Sequence, residues 1–408
     1  MNNQRKITPM WMVTGYFVLL LVVLVFLFSP SFNNPPRSDW WSALYSFQLV
    51  DASAGPPGFS FVVNHDPWRD GTFRPAAHPI LYLAHHLFGA SFLLYHLANL
   101  AGYFLSIILL YLLGRRFGIG KGILILFLSV FAVLFTHFDI ITWTFHLSMP
   151  LSFSAFLAGF ILYLRYIEGG DKLLLIPIGI LFLFTLLCLE LYLLWPLGLL
   201  LISMRRIPGR RRPAVLMTAA VYGIYLLIYL ITRTATHTSG SLSTPGVGDV
   251  LLSIGAVFFN LIYNGIIINL LPFLSIPLKV THNIEMSGPA SAWSPELLRT
   301  VVGVVGGVSI VLAVLISSLR STRRKIPPGL GWLFFFYTAG FFILALGRST
   351  TENFNDLFLQ FRYQYIPNAF LVLMGALIVD RLVRSGPARK VVFILLVIVA
   401  AVNVIVVR

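Results

Sequence analysis

Arginine, histidine and carboxylate side chains gather where apolar runs meet polar sequence, and that is where this chain can do chemistry. The stretch TFRPAAHPILYLAHHLFGASFLLYHLANL (residues 72–100) holds Arg74, His78, His85, His86 and His96. It follows a long polar segment and opens into an apolar helix. A charged or titratable group at such a boundary costs little when solvated and much when buried, so the cluster reads as a site; plain interfacial anchoring is the other reading. Asp and Glu total only 14, and most gather on one side of the apolar runs, among them Asp39, Asp51, Asp66, Asp70, Asp139, Glu190 and Asp356. A carboxylate beside a membrane can take a proton from an acceptor hydroxyl or amide, or help hold a divalent cation. Asp39 is the best placed, shortly after the first apolar run, and it equally suits the N-cap of a helix DWWSALY.

Arg37, Arg69, Arg74, Arg233, Arg299, Arg348 and Arg362 fall on that same side. Arginine stays charged and binds phosphate through two parallel hydrogen bonds. Several at one membrane boundary can clamp a lipid phosphate; pairing with Asp66, Asp70, Asp356 or lipid headgroups is the alternative. Glu190 lies in LCLELYLLWP, where an acid among leucines needs a partner or water. It is expected as a buried structural or substrate contact, or else as the mark of a tight turn. His137 and His146 flank Asp139. None of these histidine spacings matches a metal or haem ligand motif, which favours hydrogen-bonded interfacial histidines.

The elements that must position these groups are membrane helices. The chain has 408 residues, 58% hydrophobic and 11% charged, with a mean hydropathy of +0.88. A soluble domain is nearer one quarter charged. Uninterrupted apolar runs of roughly 17–20 residues suit spanning helices, and the alternation of a barrel strand is missing. The net charge of +15 does not point to nucleic acid, because the Lys and Arg sit largely in short loops between apolar runs. The single cysteine, Cys188, allows no internal disulfide and no cysteine metal motif. The N-terminal run reads as a retained helix rather than a cleaved signal.

In order, the sequence predicts helices over 10–28, 91–113, 122–138, 151–164, 173–187, 191–204, 214–231, 298–319, 329–346, 365–379 and 391–407. That is an all-α polytopic membrane protein with about eleven transmembrane helices. Residues 250–271 are apolar enough to span, but Asn260, Asn264, Gly265 and Asn269 make a poor lipid-facing surface. They are expected as a re-entrant or surface helix. A single membrane domain, 1–408, is expected, with external segments at 31–78 and 234–298. Short amphipathic helices are expected at 39–50 and 79–88. Residues 136–150 form a further external segment. The Lys/Arg bias places the N-terminus in the cytoplasm and the C-terminus outside a plasma (inner) membrane.

The layout resembles the GT-C-type glycosyltransferases that use polyprenyl-phosphate-linked sugars, nearest the transmembrane O-mannosyltransferases without their repeat domain. The resemblance rests on an acid after the first helix and on FRPAAHPI and YHLANL. It continues in HFDIITWTFHLSMPLSFSAF, LELYLLWP and RYQYIPNAF. It implies a sugar donor carried on a polyprenyl phosphate, transfer on the external face with inversion, and lipid as a standing partner. By the same resemblance Asp39 falls at the catalytic acid, and Glu190 and Arg362 at contacts to the active site and the lipid phosphate. The candidate substrate-binding set is Arg74, His78, His137, Glu190, Arg233, Arg348, Arg362 and Tyr365. The chain departs from the family at Ser38, where a second acid is common, and at Leu189, where a lysine is common. Those departures leave a second expectation open: a non-catalytic subunit of this fold, with Trp40, Trp41 and Trp68 facing partner protein subunits. A transporter ranks third, because neither mid-membrane charges nor inverted repeats are present.

Overall fold

Helix is the only backbone form that satisfies its own polar groups along an apolar run, and helices make up this structure. The computed structural model describes residues 10–34, 74–206, 211–236, 245–272, 300–306, 329–348, 361–382 and 386–407, with Leu44, Phe47, Gln48 and Asp51. Among them are α1 (Met10–Phe28), α2 (Ala77–Phe88), α3 (Phe92–Arg116), α4 (Lys121–Val133), α5 (Phe138–Thr142), α6 (Ser148–Gly169) and α7 (Leu175–Cys188). There follow α8 (Trp195–Arg206), α9 (Arg211–Thr236), α10 (Val247–Ile262), α11 (Leu330–Arg348), α12 (Tyr365–Leu382) and α13 (Gly386–Val407). The described residues contain no strand.

Eight of these segments are long and apolar enough to cross a bilayer, and nine if the bent pair α4–α5 is one span. The chain is therefore an all-α, multi-pass membrane protein. The expected eleven is not reached among the described residues. α7 and α8 have 14 and 12 residues, roughly 21 and 18 Å, short of a hydrocarbon core about 30 Å thick. Of the expected helix at 298–319, only 300–306 are described.

α10 also differs from expectation. It does not turn back but continues through a π-helical turn, Tyr263–Ile268, giving a 22-residue span. The asparagines that argued against spanning are all buried against protein. Asn264 donates to Asn260 Oδ1 (2.9 Å), and Asn260 donates to the Tyr337 hydroxyl on α11 (3.3 Å). Polar residues inside a span are tolerated when they face the bundle.

Two ends of the bundle are distinct. At one end α3 stops at Arg115 and Arg116, and Arg116 pairs with Glu168 at the end of α6. The α3–α4 turn meets the end of α12 there; a Cβ on Gly120 would lie 2.8 Å from Asp380 Oδ1. The opposite end holds Arg74, Glu190, His146 and Arg362. Between the ends, Phe156, Trp195, Phe336 and Phe370 form one aromatic cluster, with ring centroids 4.2–6.0 Å apart around Phe156. This cluster locks α6, α8, α11 and α12 together.

The segment 136–150, expected as an external segment, is short helical turns packed into the bundle. α4 ends at Val133, and past Leu134 the chain bends by 59° into a 3₁₀ turn, Phe135–His137, and then α5. Thr136, His137, Asp139, Ile140 and Ile141 are all buried. The bend frees backbone groups, and side chains from other helices take them. Phe135 N–H donates to Asn403 Oδ1 on α13 (2.7 Å), and the Tyr103 hydroxyl on α3 donates to the Phe131 and Ala132 carbonyls (3.0 and 3.2 Å).

Two substitutions test this packing. α10 lies against residues 300–306 backbone to backbone, and a Cβ on Gly255 would overlap the Val302 carbonyl. Gly255→Ala is expected to cost about 1–3 kcal/mol and to lower the unfolding midpoint in detergent, whereas Gly15→Ala, where a Cβ meets nothing within 4 Å, is expected to leave it unchanged. Asn403→Leu leaves the Phe135 amide without its acceptor, a loss of about 1–3 kcal/mol. Hydrogen exchange is expected to accelerate at residues 134–138 and not at the α3–α4 turn.

Candidate functional site

Arg362 enters from a 3₁₀ turn, Phe361–Gln364, that leads into α12. Pro367 falls in the first turn of that helix, where a missing N–H costs nothing. The turn packs on Phe135–His137 and on α5, so the bend in α4–α5 sets where Arg362 stands. Its side chain is only 5% exposed. Nη1 donates to His146 Nε2 at 3.3 Å and Nη2 to the Tyr363 hydroxyl at 3.2 Å. Because arginine only donates, His146 must present an unprotonated Nε2. The guanidinium carbon lies 4.5 Å from the Trp143 ring centroid and 5.0 Å from that of Tyr363. Among the described residues no carboxylate pairs with it. The nearby indole N–H groups of Trp143 and Trp195 are buried and find no acceptor there.

Arg74 and Glu190 meet each other. Arg74 Nε donates to Glu190 Oε2 (2.9 Å) and Nη2 to Oε1 (2.6 Å), a two-pronged pair. Ala76 N–H also donates to the Leu187 carbonyl (3.0 Å). The pair thus straps the chain entering α2 onto the α7–α8 connection. Glu190, expected as a buried structural or substrate contact, and Arg74, expected as a phosphate clamp or an ion-pair partner, here pair with one another, and Glu190 has the partner that its leucine-rich setting demands. Leu191, the next residue, lines a small cavity together with Arg362.

His137 and Tyr365 sit deeper, fully buried. Asn368 donates to His137 Nε2 (3.4 Å), which puts the ring proton on Nδ1, bonded to the Tyr103 hydroxyl (2.8 Å). Tyr365 donates to Ser106 Oγ (2.5 Å), whose own proton goes to the Tyr103 carbonyl (2.6 Å). Beside them runs a closed ring. Thr136 donates to Asn269 Oδ1 (2.8 Å), Asn269 to Asn368 Oδ1 (3.2 Å), and Asn368 to Thr136 Oγ1 (2.9 Å). These expected substrate contacts are spent on holding α3, α4–α5, α10 and α12 together.

The remaining candidates divide as follows. His78 stands half-buried in the first turn of α2. Arg233 lies in the last turn of α9, and Arg348 ends α11; their side chains lie outside the described set. Asp39 lies outside the described residues, as do Arg37, Asp66, Arg69, Asp70, Arg299 and Asp356. On α2, Tyr82 donates to Asp51 Oδ1 (2.7 Å), and Phe47 stacks on His85 at 5.9 Å. The carboxylate bond raises the Tyr82 pKa, and burial, aided by the charge of His86 and opposed by Asp51, lowers that of His85. Among the described residues no three His, Cys, Asp or Glu side chains converge to hold a metal. Sequence reasoning passed over Tyr103, Ser106, Asn368, Asn403, Trp143 and Trp195. The polar ones stand in apolar runs, a signal that was present; nothing in the sequence marks the two tryptophans.

Comparison with known proteins finds no matching family model and no matching curated protein.

The strap between Arg74 and Glu190 is open to a double-mutant cycle. With side chains 19% and 35% exposed, Arg74→Gln and Glu190→Gln are each expected to cost about 1–2 kcal/mol, between exposed and buried pairs. The double variant is expected to lose little more than either alone; full additivity would show that the pair contributes nothing.

Proposed function

We propose that the chain is a GT-C-type membrane glycosyltransferase that takes a sugar from a polyprenyl-phosphate donor, with its site at the bundle end that carries Arg362. One observation carries the reading: a buried guanidinium with no carboxylate partner among the described residues. A buried ion costs several kcal/mol unless compensated, and arginine does not escape by losing its proton. The Trp143 face returns about 2 kcal/mol when desolvated. An anionic ligand supplies the rest. Lipid phosphate is the anion that a membrane brings to this depth.

The chemistry proposed is a single displacement. The acceptor oxygen or nitrogen attacks the anomeric carbon, its proton passes to a carboxylate, and the bond from that carbon to the phosphate oxygen breaks. The electron pair stays on the phosphate, where Arg362 meets the growing charge. Asp39 is proposed as the carboxylate, on its position after α1 and on the family resemblance. The basic bias of the other bundle end supports an external site, with the N-terminus on the cytoplasmic side of a plasma (inner) membrane.

A second reading is supported by the Arg74–Glu190 pair, which binds to itself two charges that an enzyme of this kind would aim at substrate. It makes the chain a non-catalytic subunit of the same fold, held in a larger assembly with other proteins.

Purified protein in nanodiscs, given a radiolabelled polyprenyl-phosphate sugar and a peptide or lipid acceptor, tests the proposal. Transfer is expected, and Arg362→Gln and Asp39→Asn are each expected to reduce its rate about 10²–10³-fold. An Arg362→Gln variant as active as the wild type would overturn the role of Arg362. Absence of any transfer, with a stoichiometric protein partner copurifying, would favour the scaffold.

A further inference from the structure

α2 runs across the bundle rather than along it. Its start is held at the α7–α8 connection, by the Arg74–Glu190 pair and by the Ala76 N–H bonded to the Leu187 carbonyl (3.0 Å). Its far end rests on the first turn of α3. There the Tyr95 hydroxyl donates to the Gly89 carbonyl (3.1 Å), and the Phe88 and Tyr95 rings meet at 5.2 Å. Between those supports Leu81 and Ala84 pack with Leu147, just before α6. The helices beneath form a row. α6 meets α3 through Ser154 and the Gly102 carbonyl (3.1 Å), and it meets α7 through Phe156 and Phe182 (5.9 Å). Crossing two interhelical gaps of about 8–10 Å each takes roughly 16–20 Å, and the 12 residues of α2 give about 18 Å. α2 therefore lies across the ends of three helices.

Its faces differ. At about 100° per residue, Ala77, Leu81 and Ala84 turn toward the bundle and are buried. His78, Tyr82 and His85 form one flank, and that flank is occupied: Tyr82 bonds to Asp51, and the Phe47 ring meets those of Tyr82 (5.3 Å) and His85 (5.9 Å). Leu83 and Leu87 form the other flank, 59% and 66% exposed. α2 contains no Lys, Arg, Asp or Glu, whereas a helix face wetted by solvent normally carries charge. Just past the turn that follows α2, exposed leucines resume on the membrane span α3, at Leu93, Leu94 and Leu97, and continue at Leu105 and Leu112. The bare flank of α2 is thus continuous with a surface that faces lipid.

We propose that α2 is an interfacial helix, lying in the membrane plane with Leu83 and Leu87 inserted among phospholipid acyl chains and with His86, opposite the buried face, at the headgroups and water. A second copy of the chain is a poorer occupant, because two leucines offer far less than the roughly 800 Å² that a stable interface buries on each partner. The flank holds no cation, so the contact calls for no anionic lipid. It is independent of the activity proposed above. Through Arg74 and Glu190 it ties the depth of the α7–α8 connection to the lipid surface.

Full-length protein in phosphatidylcholine nanodiscs, bearing a nitroxide at Leu83→Cys, Leu87→Cys, His86→Cys or, as a span reference, Leu105→Cys, tests this. Wild-type protein, whose one cysteine is buried, gives the unlabelled background, and a thermal melt checks that each variant folds. Electron paramagnetic resonance compares relaxation by oxygen, which concentrates in lipid, with relaxation by a water-soluble nickel chelate. Labels replacing Leu83 and Leu87 are expected to favour oxygen as the one replacing Leu105 does, and the label replacing His86 to shift toward nickel. Nickel preference at either leucine puts that flank in water and overturns the proposal. Low access to both reagents overturns it too, because protein then covers the flank. Oxygen preference at His86 as well sinks the helix below the headgroups and overturns the interfacial placement.

Discussion

A membrane helix that bends must find partners for the backbone groups the bend releases, and everything at the Arg362 end of this protein follows from how that is done. Water cannot reach those groups within a bilayer, and each one left open costs several kcal/mol. Here α3 and α13 supply them, through the Tyr103 hydroxyl and the Asn403 amide. Because each partner sits on a different helix, the bend is fixed by the bundle as a whole. The Thr136–Asn269–Asn368 ring then draws in α10 and α12. In the ring each side chain donates one hydrogen bond and accepts another, an arrangement in which neighbouring bonds reinforce one another.

The fixed bend in turn makes a floor. The turn before α12 packs on the 3₁₀ turn and α5, and Arg362 is carried to Trp143 and His146 by that contact. Rigid helices place groups more accurately than loops do. On the other flank the Arg74–Glu190 strap fixes the α7–α8 connection, whose continuation supplies Leu191 and Trp195 to the same cavity. Two separate tethers, one polar and buried and one ionic and half-buried, converge on one small space.

The helices themselves are legible from the apolar runs. Arg362, Arg74 and Glu190 stood out because charge is rare in this chain. That Arg74 meets Glu190 was not readable, since 116 residues separate them and no local period connects them. The bend at Leu134 was equally hidden. Residues 123–138 contain neither proline nor glycine, so the break comes from hydrogen bonds offered by distant helices rather than from any local breaker. The asparagines of α10 stand out in its sequence as groups that lipid cannot satisfy. What composition did not reveal is that all of them share the inward face. Trp195 illustrates a further limit, because an N–H without an acceptor is a property of packing alone.

The π turn in α10 explains how that shared face is possible. Asn260 and Asn264 are four residues apart, an ordinary helical step, but Asn269 follows after five, and a regular helix turns about 100° per residue. The wider turn at Tyr263–Ile268 absorbs the surplus. Asn269 therefore reaches Thr136 by virtue of its count along the chain as much as its identity. Loss of one residue from the turn would leave the amide four residues after Asn264 in ordinary helix and still facing inward, whereas winding the turn tighter at its present length would rotate the amide by about 100° away from that face. In this segment residue count and turn width are matched to one another, and a change in either alone would move the amide off Thr136.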